Sequence, residues 1–290
     1  MATLHLKFDD DDPWIIEEKM FNLLNDYLQP SSTKSALKTV QDLDALFPIH
    51  RINEDQPEGE PREPPESFLS HLWPLILNTA SQMPHYHPSQ EKFAELMKSL
   101  KGLVSRTPIV SINGHDTKLW GDLPNMYWTI WEELDRMPES GEESKQRWRN
   151  ASCFLARLTR DRTYDWFDLA ISQVGGCLEG HSVFRHAHAH RPDVVTQFIP
   201  ELDENIELAL DWLSICGHLL FDLDKEVEGS GGGPLWNGKL GLCPERWQFW
   251  KERFVELGEF AGVAERTREL ARKTVDKMEV IEREAKARVN

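Results

Sequence analysis

Cysteine is scarce in this chain: four residues in 290, at 153, 177, 216 and 243. No Cys-x-x-Cys pair occurs, which excludes a disulfide framework and a cysteine-based zinc frame. Three of the four fall on apolar helical stripes, as buried thiols of a reducing compartment do, so cytoplasm or nucleus is expected. Long apolar runs are missing too. No stretch approaches the ~18 residues of a spanning helix, and the first residues lack the basic region and hydrophobic segment of a secretory leader, so no membrane association is expected. Positive charge is in deficit, since 33 Lys and Arg against 49 Asp and Glu give a formal net charge of −16. An acidic surface repels phosphate backbones and gains nothing from counterion release, so nucleic acid is not an expected partner.

Recognisable catalytic frames are also lacking. Ser152, Ser172 and Ser214 stand in helical patterns without a glycine elbow. The glycine run at 229–233 is not followed by Lys-Ser or Lys-Thr, and Pro234 and Trp236 occupy the place where a phosphate-binding helix would begin. It reads as a flexible connection or a lid over a pocket. Paired acids such as Glu132 and Glu133, or Asp165 and Asp168, read as exposed helix faces. The balance leans away from an enzyme.

What the sequence does have is helical periodicity. Trp148, Ala151, Phe154, Leu155 and Leu158 make one stripe, and Phe167, Ala170, Ile171, Val174, Cys177 and Leu178 make the next. Offsets of three, four and seven place each set on one helix face. The polar break Asp161–Asp165 makes them an expected antiparallel pair at the centre of the core. Further stripes give about nine helices and an all-α fold, a bundle or helical array forming a single domain over 1–290. Asp12 as N-cap with Pro13 behind it predicts the first helix start, and Ser31 or Ser32 the second. Pro74 predicts a kink. Pro108–Ile112 reads as one short β segment closed by Asn113-Gly114, with no second strand expected at Asp116-Thr-Lys. Residues 50–66, acidic and proline-rich, read as a mobile loop; 229–236 is a glycine-rich loop; 262–288 is a long C-terminal helix.

Trp120-Gly-Asp-Leu-Pro124, Trp148-Arg-Asn150, Phe154-Leu-Ala-Arg-Leu-Thr159, Leu178-Glu179, Gly233-Pro-Leu-Trp236 and Glu245-Arg-Trp-Gln-Phe-Trp250 follow one another in order. On these segments the chain resembles a fungal family known only as a domain of unknown function. The resemblance covers about 120 to 254. It implies a helical protein and transfers no activity, cofactor or site.

Several residues stand out chemically. His186, His188 and His190 are candidate ligands for zinc, with Asp193, His181, or His85 and His87 to complete a tetrahedron; the simpler reading is a solvated, pH-sensitive loop. Asp122 and Glu179 sit beside apolar residues and, if buried, require partners, for which Arg157, Arg149 or Arg246 serve; structural ion pairs are the preferred account. Gly175-Gly176 inside a helical pattern signals a helix end or a close contact, and Gly217 a close helix approach. Tryptophan is abundant, eleven in all. Most fill gaps between helices, while Trp120, Trp128, Trp236 and Trp247 are the candidates to line a groove.

The first functional expectation is therefore a non-enzymatic intracellular module that binds another protein, through that groove or through the C-terminal helix, the latter also able to form a homodimer. The alternative is a small-molecule-binding or metal-dependent helical enzyme or sensor with a pocket near His181–His190.

Overall fold

Each apolar stripe lies on a helix. The computed structural model describes residues 3–8, 12–51, 63–103, 109–137, 141–180, 199–221, 223–227, 232–233 and 235–289. Among these are eleven helices: α1 (Ile15–Leu28), α2 (Ala36–Ala45), α3 (Pro65–Gln82), α4 (Pro88–Lys101), α5 (Leu119–Asp122), α6 (Met126–Arg136), α7 (Glu142–Arg160), α8 (Phe167–Leu178), α9 (Ile199–Phe221), α10 (Pro244–Glu259) and α11 (Glu265–Val289). The one sheet among them is the hairpin β1 (Ile109–Ile112) and β2 (His115–Lys118), so the class is all-α.

Three local expectations are corrected. Helix α1 starts at Ile15 rather than behind Asp12, because Glu17 at the third helical position accepts the N–H of Trp14 at 2.9 Å, half of a capping box. Helix α2 starts behind Ser35, whose hydroxyl accepts from Lys38 N at 3.2 Å. The second strand does form: Asn113 and Gly114 take φ of +52° and +79°, the double left-handed turn that matches strand twist, and this aligns His115–Lys118 with β1 in spite of its polar composition. Helix α3, for its part, continues through Pro74.

Contacts gather into two compact units, residues 1–154 and 155–290, and the division falls inside α7. In the first, α3 packs on α1 and α6, and α4 on α1, α2 and α5. Its core holds Phe47, Phe68, Trp73, Phe93, Trp120 and Phe154. Trp120 donates to Asp44 Oδ1 at 2.6 Å and Trp73 to the Pro124 carbonyl at 2.9 Å, so both buried indoles are satisfied.

In the second unit, α8 and α9, α9 and α11, α11 and α10, and α10 and α8 close a ring of packed helices. Thr267, Ala271, Thr274, Met278 and Ile281 are the buried stripe of α11, which packs on α9 and α10. A Cβ at Gly217 would lie 2.8 Å from Ile281 Cδ1, the movable tip of an α11 side chain that packs against α9 at this point. Lys251 Nζ and Trp247 Nε1 both reach Glu282, at 2.9 and 3.0 Å, and tie α10 to α11. The turn after α7 bonds Thr163 N to Leu158 O and Arg162 N to Thr159 O, with Arg162 at φ +55° where glycine is usual.

Candidate functional site

The most deeply buried charges lie in the second unit, where the end of α8 meets the start of α10. Glu179 follows the last residue of α8, and its N–H donates to Gly175 O at 2.7 Å. The chain then offers no side chain at 175, and the carboxylate folds back over that gap: a Cβ on Gly175 would stand 3.1 Å from it. Arg246, in the first turn of α10, meets it in a two-pronged pair, Nε to Oε1 at 2.7 Å and Nη2 to Oε2 at 2.8 Å. Each side chain is only 1–2% exposed. Trp250 Nε1 donates to Oε1 at 2.7 Å and Gly233 N to Oε2 at 3.1 Å. Four donors on two oxygens fill the carboxylate's acceptor sites.

The guanidinium is held as firmly. Its Nη1 donates to the Gly241 carbonyl at 2.7 Å, and its Cζ lies 5.7 Å from the Trp236 ring centroid and 5.6 Å from that of Trp250. Both charges sit at the wrong helix ends, an acid at a C-terminus and a base in a first turn, so each macrodipole opposes its own residue. Their mutual pairing and the surrounding neutral partners offset this. The Glu179 carbonyl also accepts from Leu235 N at 3.2 Å, and a Cβ at Gly233 would come within 2.2 Å of that oxygen. The cluster therefore clamps Gly233, Leu235 and α10 onto the end of α8. All four acceptor sites of the carboxylate are thus taken up by donors of this chain.

Of the partners considered for Glu179, the structure selects Arg246. Asp122 is exposed and accepts from Thr117 Oγ1 and Lys118 N at 3.1 and 2.8 Å, capping the hairpin exit instead of a buried pair. His186, His188 and His190, with His181 and Asp193, lie outside the described residues. His87 caps α4 by accepting from Ser89 N at 3.2 Å, and the His85 N–H is taken by Asn150 Oδ1 at 2.8 Å. Among the described residues no group of three or more His, Cys, Asp or Glu is placed to hold a metal ion.

The four groove tryptophans have different surroundings. Trp120 and Trp128 belong to the first unit, Trp236 and Trp247 to the second. Trp120 and Trp247 are buried core side chains, the latter against Phe221; Trp236 is half-buried over Phe249; Trp128 is 71% exposed. Trp128 stands on α6 with the Tyr127 ring 5.1 Å away and Trp131 beyond it, 6.3 Å from Tyr127. The thiols are buried. Cys177 is pushed up to about 12 by burial, with Arg253 opposing, and Cys216 is pushed up by burial with Arg160 opposing, so neither presents a thiolate.

Fold and site together define an all-α protein whose buried charge cluster holds segments together. The chain belongs to the family described as "Protein of unknown function (DUF3632)", whose model matches residues 73–254. No curated protein and no solved structure matches it. The matched span contains Glu179, Gly233, Arg246 and Trp250. Among the described residues, no helix is long and apolar enough to cross a membrane.

Proposed function

We propose that the chain is a non-enzymatic module that binds another protein, and that α6 carries the contact. The observation behind this reading is Trp128, 71% exposed on a face shared with Tyr127 and Trp131. Large aromatic side chains left in water are enriched where partners dock, because they bury much area with few rotatable bonds. Glu132 and Asp135 are exposed acids of the same helix, Glu132 paired with exposed Arg136 at 3.7 Å, so the charge balance of α6 leans acidic and favours a basic, apolar protein surface. The C-terminal helix is a weaker candidate for either a partner or a homodimer, because its apolar stripe already packs on α9 and α10. The saturated carboxylate of Glu179 and the raised thiols support the non-enzymatic part of the reading.

Two measurements test it. Native mass spectrometry of the untagged full chain should give the bare polypeptide mass or a multiple of it; a stoichiometric zinc or organic mass would refute the non-enzymatic reading. Affinity enrichment should recover a discrete protein with the wild type that Trp128→Ala loses at unchanged helicity, while identical recovery would remove α6 from the contact.

A further inference from the structure

Residues 3–8, Thr-Leu-His-Leu-Lys-Phe, form neither helix nor turn, and their burial alternates without a break, as along an extended chain: Leu4, Leu6 and Phe8 are half-buried, Thr3, His5 and Lys7 exposed. No strand among the described residues pairs with them. Their backbone is paired instead by two glutamine side chains. Leu4 N donates to Gln29 Oε1 at 3.0 Å while Gln29 Nε2 donates to Leu4 O at 3.3 Å. Lys7 N donates to Gln82 Oε1 at 2.7 Å while Gln82 Nε2 donates to Lys7 O at 2.8 Å. Each amide copies what a neighbouring β-strand offers, one donor and one acceptor to the same residue.

The two clamps are built alike. Gln29 is oriented by Asn25 Oδ1 at 2.7 Å and Gln82 by Asn78 Oδ1 at 2.7 Å, so an Asn-x-x-x-Gln pair closes α1 and another closes α3. Residues three apart in an extended chain turn their N–H and C=O to opposite edges, so the clamps grip the strap from both sides. Phe8 meets Phe21 edge to face at 5.5 Å, which runs the strap antiparallel to α1. The lengths agree: four extended residues cover ~13 Å and the eight helical residues from 21 to 29 ~12 Å.

We infer that Gln29, Gln82 and Phe21 form a docking groove for an extended peptide with apolar side chains at alternate positions ending in an aromatic, and that residues 3–8 occupy it in cis. Recognition runs through main-chain hydrogen bonds, which any sequence supplies, while the apolar positions set selectivity. The strap competes with an incoming peptide at the effective concentration of a short tether, on the order of millimolar. A strap closed nine-tenths of the time lowers apparent affinity about tenfold. This deepens the protein-interaction reading by naming a ligand class, and it uses none of the α6 residues.

The test uses the full chain and a fluorescent peptide of sequence Thr-Leu-His-Leu-Lys-Phe, read by anisotropy. Leu6→Asp with Phe8→Asp lifts the strap, and this variant should bind the peptide at least tenfold more tightly than wild type. Adding Gln29→Ala and Gln82→Ala should abolish that binding. A folded strap variant that ignores the peptide, or binds it equally without the glutamines, overturns the inference. A wild-type dimer that the strap variant loses assigns the groove to a second copy and overturns it as well. Hydrogen exchange on wild type guards against a variant that does not fold: the Leu4 and Lys7 amides should exchange well before that of Leu24, and equal rates would make the strap part of the core. Failure here leaves the Trp128 enrichment result standing, so the two readings fail separately.

Discussion

Replacing Arg246 by Met removes one charge from a pair that is 1–2% exposed, and the structure says what is left behind. Glu179 retains the N–H groups of Trp250 and Gly233 but no cation, in a site closed to water and at a helix end that disfavours an acid. Breaking a buried pair in this way costs about 3–5 kcal/mol. For a unit of this size that lowers Tm by roughly 10–20 °C. Glu179→Met should cost more, because it orphans the Arg246 charge together with two N–H donors. The double variant should cost less than the sum of the singles, since no uncompensated charge remains, but it does not return to wild type: Trp250 N–H, Gly233 N–H and the Gly241 carbonyl each lose a partner, at about 1–3 kcal/mol per buried group. Urea unfolding followed by far-ultraviolet circular dichroism, with thermal melts alongside, measures the cycle. Single variants that each cost under about 1 kcal/mol, or strict additivity, would refute the account of Glu179 and Arg246 as a mutually dependent clamp.

Gly233→Ala drives a Cβ to 2.2 Å from a backbone oxygen that cannot rotate away, and should lower stability by about 1–3 kcal/mol in the same melts. Gly217→Ala meets only the tip of Ile281 and gains helix propensity of ~1 kcal/mol, so its Tm should stay within a few degrees of wild type. The thiols of Cys177 and Cys216 stay protonated in the native chain while unfolded thiols ionise near pH 9, so unfolded chains bind fewer protons and stability should fall as pH rises above about 9. Replacing both by Ala should flatten that alkaline slope in denaturant titrations at pH 8 to 10. Burial alone would raise Glu282, but hydrogen bonds from Lys251 and Trp247 outweigh it and hold the carboxyl below its ordinary value. Its contribution is present above the unfolded value of 4.5 and is lost as pH falls through the lower native one. Protection of the last turns of α11, taken as the exchange rate relative to the intrinsic rate at each pH, should therefore fall in acid, and Glu282→Gln should remove that pH dependence.

The all-α class and most helices are legible in the chain because burying one face of a helix imposes a period of 3.6, and stripes such as Ile206, Ala209, Leu213, Cys216 and Leu220 preserve it. Helix starts are less legible, since Asp12 and Ser32 are caps as good by residue type as Ser35, and only the geometry of the following turn chooses among them. Polar composition hid strand β2, where the Asn113-Gly114 turn outweighs the weak propensity of His115–Lys118. The strap at 3–8 shows an alternation too short to announce itself, and its clamps are ordinary helix-end glutamines until they are placed beside it.

Glu179 shows where the two levels divide. Its type and position, an acid behind an apolar helix with Gly175 one turn back, already demand a cation if the site is buried. Three arginines meet that demand equally well on paper. Burial, the choice of Arg246 over Arg149 and Arg157, and the enlistment of Gly233 and Trp250 depend on bringing residues 54 to 71 positions apart to within 3.1 Å. Local propensity carries no information over such separations, because those contacts are fixed by the joint packing of α8, α9, α10 and α11. The sequence alone determined the helices and the need for a partner; the tertiary structure decided which partner, and that the pair is closed to water.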